Sequence, residues 1–543
     1  MRFSYIKKTG VVVLAVLIFL STTAYKNDYF EIAKQIEIFT TLFKEINMNY
    51  VDETSPAKLM QAGLKHMLES LDPYTTYLSE QDVESARINQ DGAYVGIGAT
   101  IKMLDSKLIV VEVFEGLPAD EKEIRAGDEI IKIDGNKVDE LEGVAQEFLN
   151  GRKNTSVSLS ILSNGVVKTV VVKRAGVNPK AVPVARLLKG GVGYIALDRF
   201  SKTASREVEN ALKLLIIDDA KGVILDLRNN PGGLLQEAVK IVNLFVPKGQ
   251  LVVSTKSNIS SYNQEFRTTK QPLSLEIPLV ILINEKSASA SEIVAGTLQD
   301  LDRAVILGKR SFGKGLVQRP KPMPYGGQLK VTISRYYTPS GRCIQALDYR
   351  NRGRNGEASE YLKIDYKAFK TLNGRTVFDG GGVSPDVLGK NKERSKFIEG
   401  LIKSTVVFDY ANDYYHNNSL EDIKEFKLSK NDFNQFKKRT YNSQGFLEDE
   451  SIAYLNRFSS VIKDAGLLGL DDKLKGFKVV VNESKVQLVD RYKDQITAVL
   501  EKEIVRRFHY RKGMYEYYLL KNEDVITAQG LLNNNEAYLS ILK

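Results

Sequence analysis

The chain is poor in the residues on which many enzyme sites depend. Among its 543 residues there is a single cysteine, Cys343, which excludes an intramolecular disulfide, a cysteine-rich zinc site and an iron–sulfur cluster, since each needs more than one thiolate. The only histidines are His66, His416 and His509, so no imidazole base or metal ligand exists between residues 67 and 415. Any chemistry in the middle of the chain proceeds without histidine. Proline is sparse too, at 14 against 40 glycines, which argues against collagen-like or Pro-rich disordered classes.

What is present belongs to folded cores. Hydrophobic residues make up 43% and charged residues 27%, as in globular domains, and at roughly 150 residues per domain the length predicts about three to four of them. The net charge of +10 is scattered among acids, without a basic stripe interleaved with aromatics, so an ordinary basic surface is expected and nucleic acid is not a partner. At the N-terminus Arg2, Lys7 and Lys8 precede an apolar run from Val11 to Leu20 and then Ser21, Thr22, Thr23 and Ala24. That order is the one found in secretory signals. Export to the periplasm is expected. The run is short for a spanning helix of about 20 residues; extended to Ala24 it would leave an uncleaved inner-membrane anchor, the only membrane contact expected. No cysteine follows it, which excludes a lipoprotein anchor.

Four regions follow residues 1–24. In 25–90 apolar residues recur at helical spacing (Phe30, Ala33, Ile36, Phe39, Phe43, then Leu59, Ala62), predicting a helical segment. In 91–177 the pattern changes to short β runs, Lys107 to Phe114, Glu129 to Ile133, Val157 to Leu162 and Val166 to Lys173, with Asn164-Gly165 as a hairpin turn. In 178–390 apolar strands (Val192 to Leu197, Gly222 to Leu227, Ile277 to Ile283) alternate with helical stretches (Ala204 to Ile217, Leu234 to Phe245), which predicts a largely parallel sheet covered on both faces. Residues 391–543 read as mostly helical and show no recognisable role.

Three segments place small and reactive residues where strands of the α/β region end, the usual ligand position in open sheets. The first, Asp226-Leu227-Arg228-Asn229-Asn230-Pro231-Gly232-Gly233, has two glycines able to turn N–H groups toward an oxyanion, although alone it reads as a plain Pro-Gly turn. In the second, Asn284 to Glu292, a strand runs into Ser287, Ser289 and Ser291. Ser289 and Glu292 form a Ser-x-x-Glu capping box, and the same turn would expose a serine as nucleophile with the Ala290 N–H at the oxyanion. In the third, Ser311 to Gln318, Lys314 stands between Gly313 and Gly315. A free lysine titrates near 10.4, so Lys314 serves as a base for a serine hydroxyl only if it is desolvated. Gln318, four residues on, projects to the same face of an extended strand and could hold the lysine amine through its carbonyl oxygen. A rival is Ser311 itself, in the Ser-x-x-Lys arrangement of penicillin-binding proteins, which works at a helix start that Gly313 and Gly315 disfavour.

From about Tyr50 to Asp386 these residues resemble the C-terminal processing peptidases, the tail-specific serine proteases. The likeness is carried by Leu71-Asp72-Pro73-Tyr74-Thr75, Gly96-Ile97-Gly98, Asp226-Leu227-Arg228 with Asn230-Pro231-Gly232-Gly233, Ser287 to Glu292, Phe312-Gly313-Lys314-Gly315 with Gln318, and Gly382-Val383-Ser384-Pro385-Asp386. The resemblance implies a nucleophile 25 residues before the lysine, which is Ser289, with Lys314 as base and Gln318 as third member. The oxyanion would be held by backbone N–H groups of Ala290 and of Gly232 or Gly233. It further implies an α/β multi-domain chain: a crotonase- and ClpP-like α/β protease core, an inserted β-rich PDZ domain over 91–177, and helical N- and C-terminal regions. Tyr94-Val95-Gly96-Ile97-Gly98 would be the PDZ loop that binds a C-terminal carboxylate. No metal or cofactor is implied. The partners are protein or peptide substrates captured by their C-terminal tails, with a homodimer or a regulatory adaptor left open. Two other classes stay in view: a catalytically silent PDZ scaffold, which would be expected to lack one of Ser289, Lys314 or Gln318, and a crotonase-type acyl-CoA enzyme, which export disfavours.

Overall fold

The computed structural model describes residues 29–80, 82–83, 94–104, 106–141, 145, 147–352, 358–361, 363–390, 395–441, 443, 450–467 and 469–543. The expected signal segment lies outside these residues. Among the described residues no helix is long and apolar enough to cross a membrane. Two compact units are present, one made of residues up to Leu78 together with Pro320–Val331, the other of Ser79–Arg319 and Thr332–Lys543.

The smaller unit contains a helix over residues 29–49 and a second helix, Pro56–Glu69, which opens on proline, a residue whose missing N–H costs nothing in the first turn. The Asp72-Pro73-Tyr74-Thr75 turn that follows is closed by its own aspartate: Asp72 accepts the N–H groups of Tyr74 and Thr75, both at 2.8 Å. Strand Thr76–Leu78 then pairs antiparallel with residues 328–330.

The larger unit begins with a β-rich region. Strands Ala99–Leu104, Lys107–Val113, Glu129–Ile133, Ser156–Ser163 and Val166–Lys173 form an antiparallel sheet in that order, with Ala99–Leu104 at one edge. The hairpin between the last two turns through Asn164 (φ 46°) and Gly165 (φ 79°), the left-handed pair that matches the twist of a two-residue loop. Alternate residues such as Val157, Leu159 and Ile161 point into a separate core with Leu108, Val110, Ile130 and Ile133.

The α/β region is built on a six-stranded sheet ordered Val184–Leu188, Val192–Ala196, Gly222–Asp226, Leu279–Ile283, Val305–Gly308, Val387–Leu388. The first pair is antiparallel and every later pair parallel. Its central strands are apolar as far as their C-terminal ends because both faces are covered. Val223, Leu225, Ile281 and Ile283 pack under helices Ala204–Ile217, Leu235–Val242 and Ala290–Asp300. The opposite face, with Tyr194, Ile224, Val280, Leu282 and Leu307, is covered by Leu519, Val525, Leu532, Tyr538 and Leu542. The second layer therefore comes from residues near the chain's end, and not from the crossover helices. Tyr538 locks it down: its hydroxyl accepts the Leu279 N–H at 2.9 Å at the start of a central strand. Stopping the chain before Asn522 should leave that apolar face bare and yield insoluble protein; soluble, monomeric product on a sizing column would refute this.

Before Leu519 the described residues from 395 onward are mostly helical. Lys396–Lys403, Val406–Asn417, Lys430–Tyr441 and the long Lys493–Lys521 close around Tyr410, Phe433, Phe436, Ile496 and Leu500.

Candidate active site

Strand Leu279–Ile283 leads through residues 284–289 into helix Ala290–Asp300. At the junction Ser289 has φ 54° and ψ −112°, a backbone conformation that a side-chain-bearing residue adopts at a cost of about 1–3 kcal/mol and that clusters at functional turns. The neighbouring serines are spent on structure. Ser287 is fully buried and its hydroxyl donates to Leu227 O at 2.8 Å; Ser291 is fully buried and donates to Asn230 O at 2.9 Å. Ser289 is the partly exposed member of the three. The rival Ser311 is buried, donating to Glu292 Oε1 at 2.6 Å and accepting the Val383 N–H at 2.7 Å, so its oxygen is engaged on both sides.

Glu292 is the hub of the site. In addition to Ser311, its carboxylate accepts the backbone N–H of Ser289 (2.8 Å), Gly313 (2.6 Å) and Lys314 (2.9 Å). One fully buried carboxylate thus holds the serine turn and the lysine loop in register. Burial pushes its carboxyl above the usual range, against the pull of the Ser311 hydroxyl and the Gly313, Lys314 and Ser289 N–H groups. Tyr336, buried in strand Gln328–Tyr337, adds a second tie: its hydroxyl bonds Lys314 O and lies 3.3 Å from Ser289 O. Sequence reasoning named Glu292 only as a capping partner and missed Tyr336 altogether. A carboxylate in the first turn of a helix whose first two turns are otherwise small and apolar (Ala290, Ser291, Ile293, Val294, Ala295) was the available signal.

Lys314 is half-buried in its loop, and Gln318 follows on strand Leu316–Pro322. The Gln318 amide nitrogen donates to Thr332 Oγ1 at 3.3 Å, which leaves its carbonyl oxygen as an acceptor for another donor.

The Ala290 N–H heads its helix, where the first N–H groups have no intrahelical acceptor. Against it lies Gly232 (φ 99°), where an added Cβ would fall 2.9 Å from Ala290 N and 2.9 Å from Ser289 Cβ. Only glycine fits there without a clash. The Gly232 N–H, however, donates to Asn230 Oδ1 at 2.9 Å, so the expectation of a donor from Gly232 is corrected: it is already satisfied by the preceding asparagine. Gly233 remains, and among the described residues no backbone hydrogen bond takes up its N–H. Asn230, fully buried, also donates to Leu197 O at 2.7 Å and accepts the Ala288 N–H at 3.0 Å through its carbonyl. Behind this loop Asp226 and Arg228 pair at 2.5 Å, and Arg228 reaches Asn522 at 2.9 Å and Asp524 at 3.2 Å.

In the β-rich region the sequence Tyr94 to Gly98 contributes strand Tyr94–Gly96, paired with Ala175–Val177. The Ile97 carbonyl accepts the Ala119 N–H at 2.8 Å and the Gly98 carbonyl the Phe114 N–H at 3.0 Å. In a planar trans peptide the following N–H points the other way, so the N–H groups of Gly98 and Ala99 point away from Ala119 and Phe114, at a strand that pairs on one side only among the described residues. Burial, with the Glu112 charge nearby, pushes the Tyr94 hydroxyl up to about 12.

Residues 191–349 match the sequence model of peptidase family S41, residues 95–173 that of a PDZ domain, and residues 397–532 that described as a probable PDZ-protease C-terminal helical domain. The carboxy-terminal-processing protease of Bartonella bacilliformis is 35% identical over 343 residues, 62% of this chain and 79% of that protein. A probable CtpA-like serine protease of Staphylococcus aureus is 35% identical over 311 residues, 56% of this chain and 61% of its own length. The solved photosystem II D1 C-terminal processing protease shares 27% identity over 65% of this chain and 92% of its own, at a TM-score of 0.35. An α/β peptidase region with an inserted PDZ domain and a helical C-terminal region is thereby accounted for in this chain, which belongs to the C-terminal processing peptidases of family S41 and is a serine-type peptidase.

Proposed function

We propose that the chain is an exported endopeptidase that cuts protein substrates near their C-termini, with Ser289 as nucleophile and Lys314 as general base. The observation that carries this reading is the Glu292 clamp: one buried carboxylate fixes the backbone of a strained, partly exposed serine and of the lysine together. Ser289 Oγ attacks the scissile carbonyl as neutral Lys314 accepts its proton, and the lysine then returns that proton to the leaving amine. The N–H groups of Ala290 and Gly233 face the developing oxyanion. The Gln318 carbonyl oxygen holds the lysine amine. Water attacks the acyl-enzyme by the same proton route in reverse.

The substrate's tail is held by the PDZ region. Its terminal carboxylate meets the outward N–H groups of Gly98 and Ala99, and its backbone adds to the free edge of Ala99–Leu104. The basic and apolar order at the N-terminus supports export to the periplasm.

The test is cleavage of an unfolded protein with an apolar tail by the chain from residue 25 onward. Lys314→Ala and Lys314→Arg should both be silent, because arginine keeps the charge but does not deprotonate in proteins; activity in Lys314→Arg would remove the lysine from the base role. Amidating the tail should raise KM by about tenfold, the loss of one charge-assisted pair, with kcat unmoved. Tail binding without cleavage by the parent would favour the silent scaffold.

A further inference from the structure

The helix Lys493–Lys521 is broken at His509 (φ −128°) and Tyr510 (φ 54°, ψ −161°). The break is supported by the sequence around it: a Cβ on Gly513 would fall 2.1 Å from His509 Cβ, the His509 ring bonds Leu420 O at 2.9 Å, and the Tyr510 hydroxyl donates to Asp120 at 2.6 Å. Just after it, the Arg511 guanidinium meets two different domains. Its Nε and Nη2 bind both oxygens of Glu112, at 2.6 and 2.8 Å, and its Nη1 lies 3.2 Å from Asp198 Oδ2. Tyr515 donates to the other Asp198 oxygen.

Each of these carboxylates stands one step from a functional loop. Asp198 lies two residues before Phe200, whose N–H donates to Gly232 O at 3.0 Å and whose carbonyl accepts the Leu234 N–H at 2.9 Å, while the Leu197 carbonyl receives the Asn230 amide at 2.7 Å. The glycine loop of the active site therefore hangs on residues 197–200. Glu112 stands opposite Thr100 in the sheet, and two residues later the Phe114 N–H holds the Gly98 carbonyl of the tail-binding loop.

We propose that Arg511 is a positioning residue for the peptidase site: through Asp198 it fixes the segment that suspends Gly232 and Gly233, and through Glu112 it ties that segment to the PDZ domain. This rests on the oxyanion role given to Gly233 and Ala290 above. Without the guanidinium, two largely buried carboxylates lose their shared cation, leaving Arg199 near Asp198 and Arg507 near Glu112. Burial already pushes the Asp198 carboxyl up, so it would take a proton or admit water, and either would move it from Tyr515.

The experiment measures kcat and KM on a tail-bearing peptide for the full chain beside Ser289→Ala, Arg511→Met, Arg511→Lys, Asp198→Asn, Glu112→Gln and the double variant Arg511→Met/Asp198→Asn. Arg511→Met should lower kcat about tenfold or more while KM stays within about threefold, since a displaced oxyanion donor is felt in the transition state. Arg511→Lys should recover part of it, reaching one carboxylate but not both, and it carries the test if Arg511→Met does not fold. Glu112→Gln should fall between parent and Arg511→Met. The double variant should be no worse than Arg511→Met alone, because the two groups act as one unit. A parent silenced by Ser289→Ala but indifferent to Arg511→Met overturns this proposal alone, as does a double variant whose losses simply multiply. If Ser289→Ala cleaves like the parent, the site assignment fails and this proposal with it.

Discussion

Ser289→Ala is expected to lower peptide cleavage on the order of 10⁴-fold or more, the loss seen when an acyl-transfer nucleophile is removed, without lowering the unfolding midpoint. Ser289→Gly should be equally inactive and measurably more stable, since φ 54° with ψ −112° is strained for serine and open to glycine. The gain should be about 1 kcal/mol, the lower end of the cost of such a conformation. A residue kept in the strained form for its hydroxyl alone would show both effects together. Denaturant titration of the three proteins checks this. A Ser289→Gly protein less stable than the parent would mean that the hydroxyl holds the turn and that the strain reading is wrong.

Glu292→Gln should be the most damaging substitution that leaves side-chain size nearly unchanged. Each carboxylate oxygen accepts two donors: Oε1 from Ser311 Oγ and the Gly313 N–H, Oε2 from the Ser289 and Lys314 N–H groups. An amide supplies one oxygen and one NH₂, so in either orientation two buried donors face a third donor. At about 1–3 kcal/mol for each unsatisfied group, the loss in stability should be about 2–6 kcal/mol. Activity should fall about 10²-fold in whatever remains folded, because the serine and lysine backbones lose their common anchor. Equilibrium unfolding followed by kinetics at low temperature separates the two effects. A variant with the parent's unfolding midpoint would show that Glu292 is not the hub described.

The candidate residues could be nominated from the sequence by their placement more than by their types. A lysine between two glycines, a serine cluster at a strand end and a Pro-Gly-Gly turn each have bland readings, yet all three fall where strands of one parallel sheet terminate. Hydrogen bonds made by neighbours decide among candidates, and these are harder to read. Ser287, Ser291 and Ser311 differ from Ser289 in being buried with their hydroxyls engaged, and the Gly232 N–H is taken up by the side chain of Asn230. The strands Glu129–Ile133 and Val166–Lys173 and the helix Ala204–Ile217 lie where alternation and helical period put them. The role of residues 519–542 was out of reach for a different reason. They read as helical, but nothing local says that their apolar residues belong on a sheet most of whose strands lie more than 200 residues earlier.

That roof has a consequence in time. Ser289, Lys314 and Gln318 are all translated well before Leu519, Val525, Leu532 and Tyr538, the residues that cover the sheet's second face. Arg228, beside the glycine loop, finds Asn522 and Asp524 only when that segment arrives. A nascent chain thus carries the segments of Ser289 and Lys314 before the residues that cover the sheet's second face. The order of the sequence therefore places completion of the sheet's second face last in synthesis, after every strand of the sheet itself.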